Sequence, residues 1–137
     1  MKRILLIATG GTIACKQTAS GLAPQLGAKE LLSYVRDRAE NVESIELFRM
    51  DSSNVQPEEW RAIAQAVADN MHNADGIVIT HGTDTMAYTS SMLSFMLRGI
   101  KIPVVLTGAQ YPMGMDGSDA AANLGDALTA ARELPGG

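Results

Sequence analysis

Short apolar segments alternate four times with amphipathic helical segments, and this alternation limits the possible folds more than any other feature of the chain. The apolar segments are Arg3–Ala8, Val42–Met50, Gly76–Thr80 and Ile102–Leu106. The segments with helical spacing are Ala28–Ala39, Pro57–Met71, Thr85–Leu97 and Ala120–Leu134. Alternation of this kind predicts βαβ units and a parallel sheet that is covered on both faces. We therefore predict a three-layer αβα domain of the α/β class, with a mainly parallel sheet of at least four strands.

Composition and charge narrow the range of partners. The chain has 137 residues, of which 46% are hydrophobic, and this suits one globular domain with a core of its own. Its formal net charge is −4 and its basic residues are scattered, so no patch for nucleic acid or an anionic membrane is predicted. With one cysteine, Cys15, it can form no internal disulfide, and the apolar stretch Ile4–Ala8 is too short for a secretion signal. We expect a cytoplasmic protein that binds neither nucleic acid nor membrane.

Polar residues follow every predicted strand. Right-handed crossovers make the four strands parallel, so their C-terminal ends share the edge at which open α/β sheets bind ligands. The residues predicted at that edge are Thr9–Thr12, Asp51–Ser53, His81–Asp84 and Thr107–Ala109. Two of these turns present a threonine after glycine, Thr12 and Thr83, and the second also carries Asp84. A hydroxyl nucleophile beside free backbone N–H groups is one chemistry that such turns allow.

Each of these residues also has a purely structural interpretation. Thr12 and Asp84 could cap the helices that follow them, and Asp51–Ser53 could be only a polar loop. Cys15 is expected to be a small packing residue, and His81 either a structural histidine or one that supports the site residues from behind. Two histidines without metal-ligand spacing do not predict a metal site. Neither a G-x-G-x-x-G pattern nor a Walker lysine follows Thr12, so nucleotide binding is disfavoured.

Two segments resemble the signature motifs of bacterial-type L-asparaginases. They are Ile7–Ala14, with the sequence IATGGTIA, and Val78–Met86, with the sequence VITHGTDTM. Further similar segments, in part typical of the cytoplasmic type I branch, are Met50–Ser53, Ala87–Thr89, Leu93–Leu97 and Thr107–Gln110, followed by Asp119 and Asn123–Leu124. The resemblance implies a flavodoxin-like sheet. It also implies that residues 1–137 are an incomplete N-terminal, catalytic-threonine domain, and that the family's C-terminal domain is absent from this sequence.

The resemblance implies hydrolysis of L-asparagine, with L-glutamine as an alternative substrate, through a covalent acyl-enzyme. Thr12 is similar to the family's nucleophile, and Thr83 to its second catalytic threonine. Asp84 resembles the carboxylate that holds the substrate's α-ammonium group and belongs to a Thr-Lys-Asp relay. Other residues that the resemblance places at the substrate are Asp51, Ser52, Ser53, Gly82 and Ala109. No metal or organic cofactor is implied, and the family usually forms dimers or tetramers.

The chain departs from the family pattern in three respects. Leu22 stands where the family usually has a tyrosine on a flexible loop, and the nearby Tyr34 falls in a predicted helix. The relay lysine lies beyond the last residue of this chain, and Lys101 cannot replace it because it precedes the fourth strand. The C-terminal domain, which closes the neighbouring subunit's site in the family, is also missing. We therefore predict that these residues alone hydrolyse asparagine weakly or not at all.

Other functions stay open at this point. One is an asparaginase-like subunit of an amidotransferase that acts on glutamyl-tRNA, although the charge of −4 argues against an RNA-binding surface. A second is a catalytically silent domain that binds aspartate or asparagine. A third is a flavodoxin-like binder of a nucleotide or phosphate.

Overall fold

A parallel sheet of four strands, covered by two helices on each face, forms the centre of the structure, a computed structural model that describes residues 1–136. The strands are β1 Ile4–Gly10, β2 Cys15–Thr18, β3 Gly21–Pro24, β4 Val42–Met50, β5 Gly76–Thr80 and β6 Val104–Thr107. The α-helices are α1 Ala28–Ser33, α2 Pro57–Asn70, α3 Met86–Met96 and α4 Ala120–Glu133. Short 3₁₀ turns lie at Thr12–Ala14, Arg36–Arg38 and Ser52–Asn54. The predicted three-layer α/β fold is confirmed.

The strand order β4-β1-β5-β6 determines where a ligand site can form. All three neighbouring pairs are parallel, and Ile4 of β1 pairs with Val42 on one side and with Gly76 on the other. The chain runs outward from β1 to β4 and then crosses to the opposite side of β1 to form β5. The strand order therefore reverses between β1 and β5, and in open α/β sheets this switch point opens a crevice at the C-terminal ends of the strands.

The alternation of side chains along β1 supplies both hydrophobic cores. Ile4, Leu6 and Ala8 pack against α1 and α4 on one face of the sheet. Leu5 and Ile7 pack against α2 and α3 on the other. All seven residues of β1 are buried, and each isoleucine or leucine contributes about 1.5–3 kcal/mol through this burial. A central strand buried on both faces has a continuous apolar sequence for this reason.

Local signals explain the start of α2. Pro57 occupies the first turn, where its missing N–H costs nothing. The Gln56 N–H donates to a carboxylate oxygen of Glu59 over 2.7 Å, and Glu58 adds a second negative charge near the positive end of the helix dipole. The longest helices, α2 and α4, have 14 residues each. Within residues 1–136, no helix combines the length and the apolar character needed to cross a membrane.

Strand β1 runs from Ile4 to Gly10 instead of from Arg3 to Ala8, and the structure departs by two residues or more from the predicted elements at three further places. The helix expected over Ala28–Ala39 ends at Ser33, because buried Val35 leaves helical geometry with φ −129° and ψ 36°. The fourth parallel strand begins at Val104, after Pro103, instead of at Ile102. The antiparallel hairpin of β2 and β3 was not predicted at all.

Candidate functional site

A cavity of about 140 Å³ lies at the switch point, between the ends of β1 and β5. It is lined by residues from three strand ends and from the hairpin: Gly11, Thr12, Cys15, Leu22, Pro24, Asp51, Ser52, Gly82, Thr83 and Asp84. Six of the eight residues singled out from the sequence are therefore in one place. The other two, Ser53 and Ala109, lie nearby but do not line this cavity.

Two glycines allow the strand ends to approach each other. A Cβ on Gly11, whose φ is +80°, would collide with the backbone of Gly82. A Cβ on Gly82 would lie 2.5 Å from the Ser52 hydroxyl oxygen. The turns after β1, β4 and β5 thus meet at van der Waals distance only because these two positions lack side chains.

The capping interpretation is wrong for Thr12 and for Asp84. Gly11 precedes the 3₁₀ turn that begins at Thr12, and no side chain caps that turn. Thr85 is the N-cap residue of α3, and its hydroxyl donates to the Ser52 carbonyl over 2.8 Å instead of capping the helix. Thr12 and Thr83 are half-buried and Asp84 is exposed. Their side chains line the cavity without a role in helix termination.

The β4 end contributes a compact polar turn. Asp51 accepts hydrogen bonds from the Ser53 N–H over 3.0 Å and from the Ser53 hydroxyl over 2.9 Å, so Asp51 caps the 3₁₀ turn at Ser52–Asn54. Ser52 is buried against Gly82, whereas Ser53 is exposed. The polar-loop interpretation and a ligand-binding one are compatible here, because the Asp51 carboxylate and Ser52 both line the cavity.

Cys15 packs beneath the Thr12 turn. The residue is 8% exposed, and its thiol donates to the Gly11 carbonyl over 3.4 Å. Burial, and secondarily the negative charge of Asp51, raises the pKa of the Cys15 thiol. A thiol held protonated is a poor nucleophile, so the geometry agrees with the packing role expected from the sequence.

His81 lies behind the cavity and has no exposed surface. Its Nδ1 is 2.7 Å from the Gly82 carbonyl oxygen, and its Nε2 is 2.9 Å from the Thr89 hydroxyl. Burial lowers the pKa of His81, and the hydrogen bond to the Gly82 carbonyl only partly offsets this effect. His81 is therefore neutral at physiological pH and structural, as expected from the sequence.

The segment after β6 is held against the β5 end by α4. The Asn123 side-chain amide donates to the Gly108 carbonyl over 2.9 Å. Asp119 accepts from the backbone N–H groups of Gln110 and Tyr111, and these bonds, that from Gln110 first, lower the pKa of Asp119. Ala109, between these contacts, is 2% exposed. Asp119 was not among the predicted site residues; its position just before α4, typical of a capping residue, was the available signal.

The unpredicted hairpin forms one wall of the cavity. Leu22 and Pro24 line it from β3, and Leu22 stays 50% exposed. The base of the hairpin is tied to the Thr12 turn because the N–H groups of Gln25 and Leu26 both donate to the Ala14 carbonyl over 2.8 Å. Tyr34 lies just after α1, outside this cavity.

No group of three or more histidine, cysteine, aspartate or glutamate residues within residues 1–136 is arranged to hold a metal ion. The polar groups of the cavity are hydroxyls, carboxylates and backbone amides. These groups can bind an amino acid through its charged ends, or carry out acyl transfer from a hydroxyl.

Fold and site together define a class: a parallel α/β domain in which two threonine-bearing turns face each other at the switch point. A family model described as "Asparaginase, N-terminal" matches residues 3–136. The chain belongs to the asparaginase family, and the resemblance inferred from its two signature segments is confirmed.

Named relatives include two kinds of protein. An L-asparaginase from Thermococcus kodakarensis is 47% identical over an alignment of 138 positions, which covers 98% of this chain and 42% of that protein. A glutamyl-tRNA(Gln) amidotransferase subunit from Saccharolobus islandicus is 40% identical over an alignment of 139 positions, which covers 98% of this chain and 31% of that protein. The chain thus spans less than half the length of either relative.

Solved structures agree with this assignment. The structure of the thermostable L-asparaginase from Thermococcus kodakarensis matches with a TM-score of 0.90 and 47% identity, covering 98% of this chain and 42% of that one. The structure of a probable cytoplasmic L-asparaginase from Campylobacter jejuni matches with a TM-score of 0.83 and 32% identity, covering 96% and 42% respectively.

Proposed function

We propose that the protein hydrolyses L-asparagine to L-aspartate and ammonia, with residues 1–137 as its N-terminal, nucleophile-bearing domain. The observation that carries the proposal is the convergence of Thr12, Thr83 and Asp84 on one small cavity. The identity of 47% to an L-asparaginase supports it. The cavity volume of about 140 Å³ suits a ligand of amino-acid size, and L-glutamine is a second candidate substrate.

In the proposed mechanism Thr12 attacks the side-chain amide carbon of the substrate. A threonine hydroxyl is a weak nucleophile, so a neighbouring base must take its proton as the bond to carbon forms. Ammonia leaves as the acyl-enzyme ester forms, and a water molecule then cleaves the ester to give aspartate. Thr83, which also lines the cavity, would be the second catalytic hydroxyl. We expect a lysine outside these residues to complete the relay with Thr83 and Asp84.

Substrate binding falls to the polar groups around the two threonines. Asp84 lines the cavity and is exposed, and in this proposal it would hold the substrate's α-ammonium group by a charge-assisted hydrogen bond. Ser52, with Gly82 and the Asp51–Ser53 turn, would hold the α-carboxylate, and Ala109 would approach the amide end. Fixing both ends of the amino acid positions its amide for attack.

The turns that contain Gly11 and Gly82 would stabilise the transition state. Backbone N–H groups after Gly11 and Gly82 are available to the negative charge that develops on the amide oxygen. One such donor is typically worth about 3 kcal/mol in the transition state. None of these steps calls for a metal or an organic cofactor.

The test is ammonia release from L-asparagine by the protein expressed from its complete reading frame. We expect turnover in the wild type and a loss of at least about 10³-fold in kcat for Thr12→Ala and for Thr83→Ala. Thr129→Ala, on α4 and away from the cavity, is the matched control and should keep its activity. Full activity of Thr12→Ala would disprove the nucleophile assignment. The isolated 137-residue chain should be much less active than the complete protein.

The same proposal leads to expectations for the cellular location and the oligomeric state. We expect a cytoplasmic enzyme, in line with the single cysteine and with the similarity to the probable cytoplasmic L-asparaginase from Campylobacter jejuni. We also expect a homo-oligomer, a dimer or a tetramer, to be measured by light scattering.

A second candidate is an asparaginase-like amidotransferase subunit, favoured by the 40% identity to the glutamyl-tRNA(Gln) amidotransferase subunit from Saccharolobus islandicus. Such a subunit would deliver ammonia to glutamyl-tRNA. Binding of tRNA at physiological salt, together with ammonia release that depends on tRNA, would favour this candidate over the hydrolase. The net charge of −4 within these residues weighs against it.

A further inference from the structure

A buried chain of hydrogen bonds runs from α2 to the back of the Thr83 turn. The Trp60 indole Nε1–H donates to the Thr89 hydroxyl over 3.0 Å. The Thr89 hydroxyl lies 2.9 Å from His81 Nε2, and His81 Nδ1 lies 2.7 Å from the Gly82 carbonyl oxygen. His81 and Thr89 both have 0% exposed surface. Trp60, at the outer end of the chain, is half-buried. The chain therefore connects the helical layer to the cavity wall, and its two inner members are closed to solvent.

The two ends of this chain determine the direction of every bond in it. An indole N–H can only donate, so the Thr89 oxygen accepts from Trp60. A carbonyl oxygen can only accept, so His81 carries its proton on Nδ1 and donates it to Gly82. In the neutral ring Nε2 is then an acceptor, and the Thr89 hydroxyl donates to it. One tautomer of His81 satisfies all the partners, and burial, which lowers the pKa of His81, keeps that ring neutral.

The last bond of the chain orients the peptide group that joins Gly82 to Thr83. In a trans peptide the N–H points opposite to the C=O. With the Gly82 carbonyl directed at the His81 ring, the Thr83 N–H is directed away from the ring. This N–H makes no hydrogen bond to another backbone group within residues 1–136, and both Gly82 and Thr83 line the cavity. The buried chain thus holds a free backbone donor in a single orientation.

We propose that Trp60, Thr89 and His81 are positioning residues that hold the Gly82–Thr83 peptide in its reactive orientation. The catalytic part of this inference rests on the proposed function, because the reaction places negative charge where backbone donors are needed. None of the three side chains lines the cavity. They therefore act through the Gly82 carbonyl, and their loss should change kcat more than KM.

The spectroscopic arm of the test uses the ¹⁵N-labelled protein without substrate. We expect His81 to be the Nδ1–H tautomer, with the exposed His72 as the reference in the same spectrum. Trp60 is the only tryptophan, so its indole N–H gives one signal. Thr89→Val keeps the shape but removes the hydroxyl; it should accelerate exchange of this indole proton at least about tenfold and shift the Thr83 amide signal. Thr89→Ser should restore both.

The kinetic arm uses the protein from its complete reading frame. Thr89→Val should lower kcat for L-asparagine about tenfold and change KM less than about twofold, because a misplaced donor weakens transition-state binding. Thr89→Ser should recover most of the loss. Thr129→Val is the matched control, since it makes the same exchange on a half-buried residue of α4, and it should leave kcat unchanged.

The outcomes separate the two proposals. If the wild type releases no ammonia, the proposed function fails, and the spectroscopic arm alone decides whether the chain positions the turn. Wild-type kcat, or unchanged indole exchange and Thr83 amide signals, in Thr89→Val would overturn the inference. If Thr89→Val does not fold, Trp60→Phe removes only the indole donor. A kcat lowered about two- to threefold in that variant supports the inference, and an unchanged kcat contradicts it.

Discussion

The turns after β1 and β5 carry the same Gly-Thr pair, yet the structure supports them in different ways. The Thr12 turn leads directly into the β2–β3 hairpin, whose Leu22 is half exposed. Within residues 1–136, the side-chain hydrogen bond that reaches this turn is a weak one, from the Cys15 thiol to the Gly11 carbonyl. The Thr83 turn is held from behind by buried His81 and from the side by the Thr85 hydroxyl. Similar sequence patterns are thus held differently in the same site: the Thr83 turn by side-chain hydrogen bonds, and the Thr12 turn mainly by backbone ones such as that from the Gly11 N–H to the Met50 carbonyl.

This difference matches the proposed roles of the two turns. An attacking hydroxyl must move towards the substrate carbon as the bond forms, whereas donors that stabilise charge act best when they are held in advance. We therefore expect substitutions to change the free energy of unfolding most where the two turns touch. The change should be smaller at the residues that support each turn, and smallest at the end of the strand behind them.

The largest effect is expected at the contact between the two turns. Gly11→Ala adds a Cβ that collides with the Gly82 backbone, at a φ of +80°, and should destabilise the protein by more than about 3 kcal/mol and abolish turnover. Gly21→Ala is the control, because Gly21 has φ +112° but no atom near its Cβ position; we expect a loss of about 1 kcal/mol. Urea unfolding measures both. Equal losses would show that backbone strain alone, and not the contact, matters at Gly11.

The second prediction compares the supports of the two turns. His81→Leu leaves the Gly82 carbonyl and the Thr89 hydroxyl without their partner, and should cost about 2–3 kcal/mol of unfolding free energy. Cys15→Ala removes a small buried side chain and one weak bond, and should cost about 1 kcal/mol. Denaturant midpoints at constant m-value test the order. If Cys15→Ala were the more damaging change, the contrast between the turns would be reversed.

The third prediction concerns the dependence of stability on pH through Asp119. Its pKa is lower in the folded state than the ordinary value of 3.8, chiefly because the backbone N–H of Gln110 donates to the carboxylate. The ionised form therefore stabilises the fold above the ordinary value, and this contribution is lost as the pH falls through the lower, folded-state pKa. In thermal melts between pH 6 and about pH 3, the Tm of Asp119→Asn should fall less steeply with decreasing pH than that of the wild type. Parallel curves for the two proteins would contradict this.

The smallest effect is expected at Thr80, the last residue of β5. Its hydroxyl is buried and has no hydrogen-bond partner within the described residues. Thr80→Val keeps the shape and removes the unsatisfied group, so we expect a gain of about 0.5–1 kcal/mol in unfolding free energy. A loss of stability, measured in the same urea series, would indicate that this hydroxyl is hydrogen-bonded in solution.

Much of the fold could be predicted because its signals are local. The continuous apolar sequence of Gly76–Thr80 identifies a strand buried on both faces, and Pro57 with Glu58 and Glu59 identifies a helix start. Helix α1 was predicted too long because burial of Val35 outweighs its place in a helical pattern. The β2–β3 hairpin was missed because Cys15–Pro24 lacks an apolar run and carries only a weak turn signal at Gly21.

Less of the site than of the fold could be predicted, and some of its residues were more predictable than others. Thr12, Thr83 and Asp84 stand directly after strands, so their shared edge follows from topology. Ser53 and Ala109 follow strands as well, and the family resemblance placed them at the substrate, yet neither lines the cavity. Trp60 lies 29 positions from Thr89, and no spacing rule connects two such distant residues.

By itself, the sequence determined the α/β class, the alternation of parallel strands with helices, and the family. Hydrophobic periodicity and short motifs are properties of neighbouring residues. The tertiary structure decided which hydroxyls share a cavity, which wall the hairpin provides, and which nitrogen of His81 carries its proton. Those features depend on contacts between residues tens of positions apart, such as Ser52 with Thr85. Only the packing of the strands and turns around the switch point brings these distant residues together.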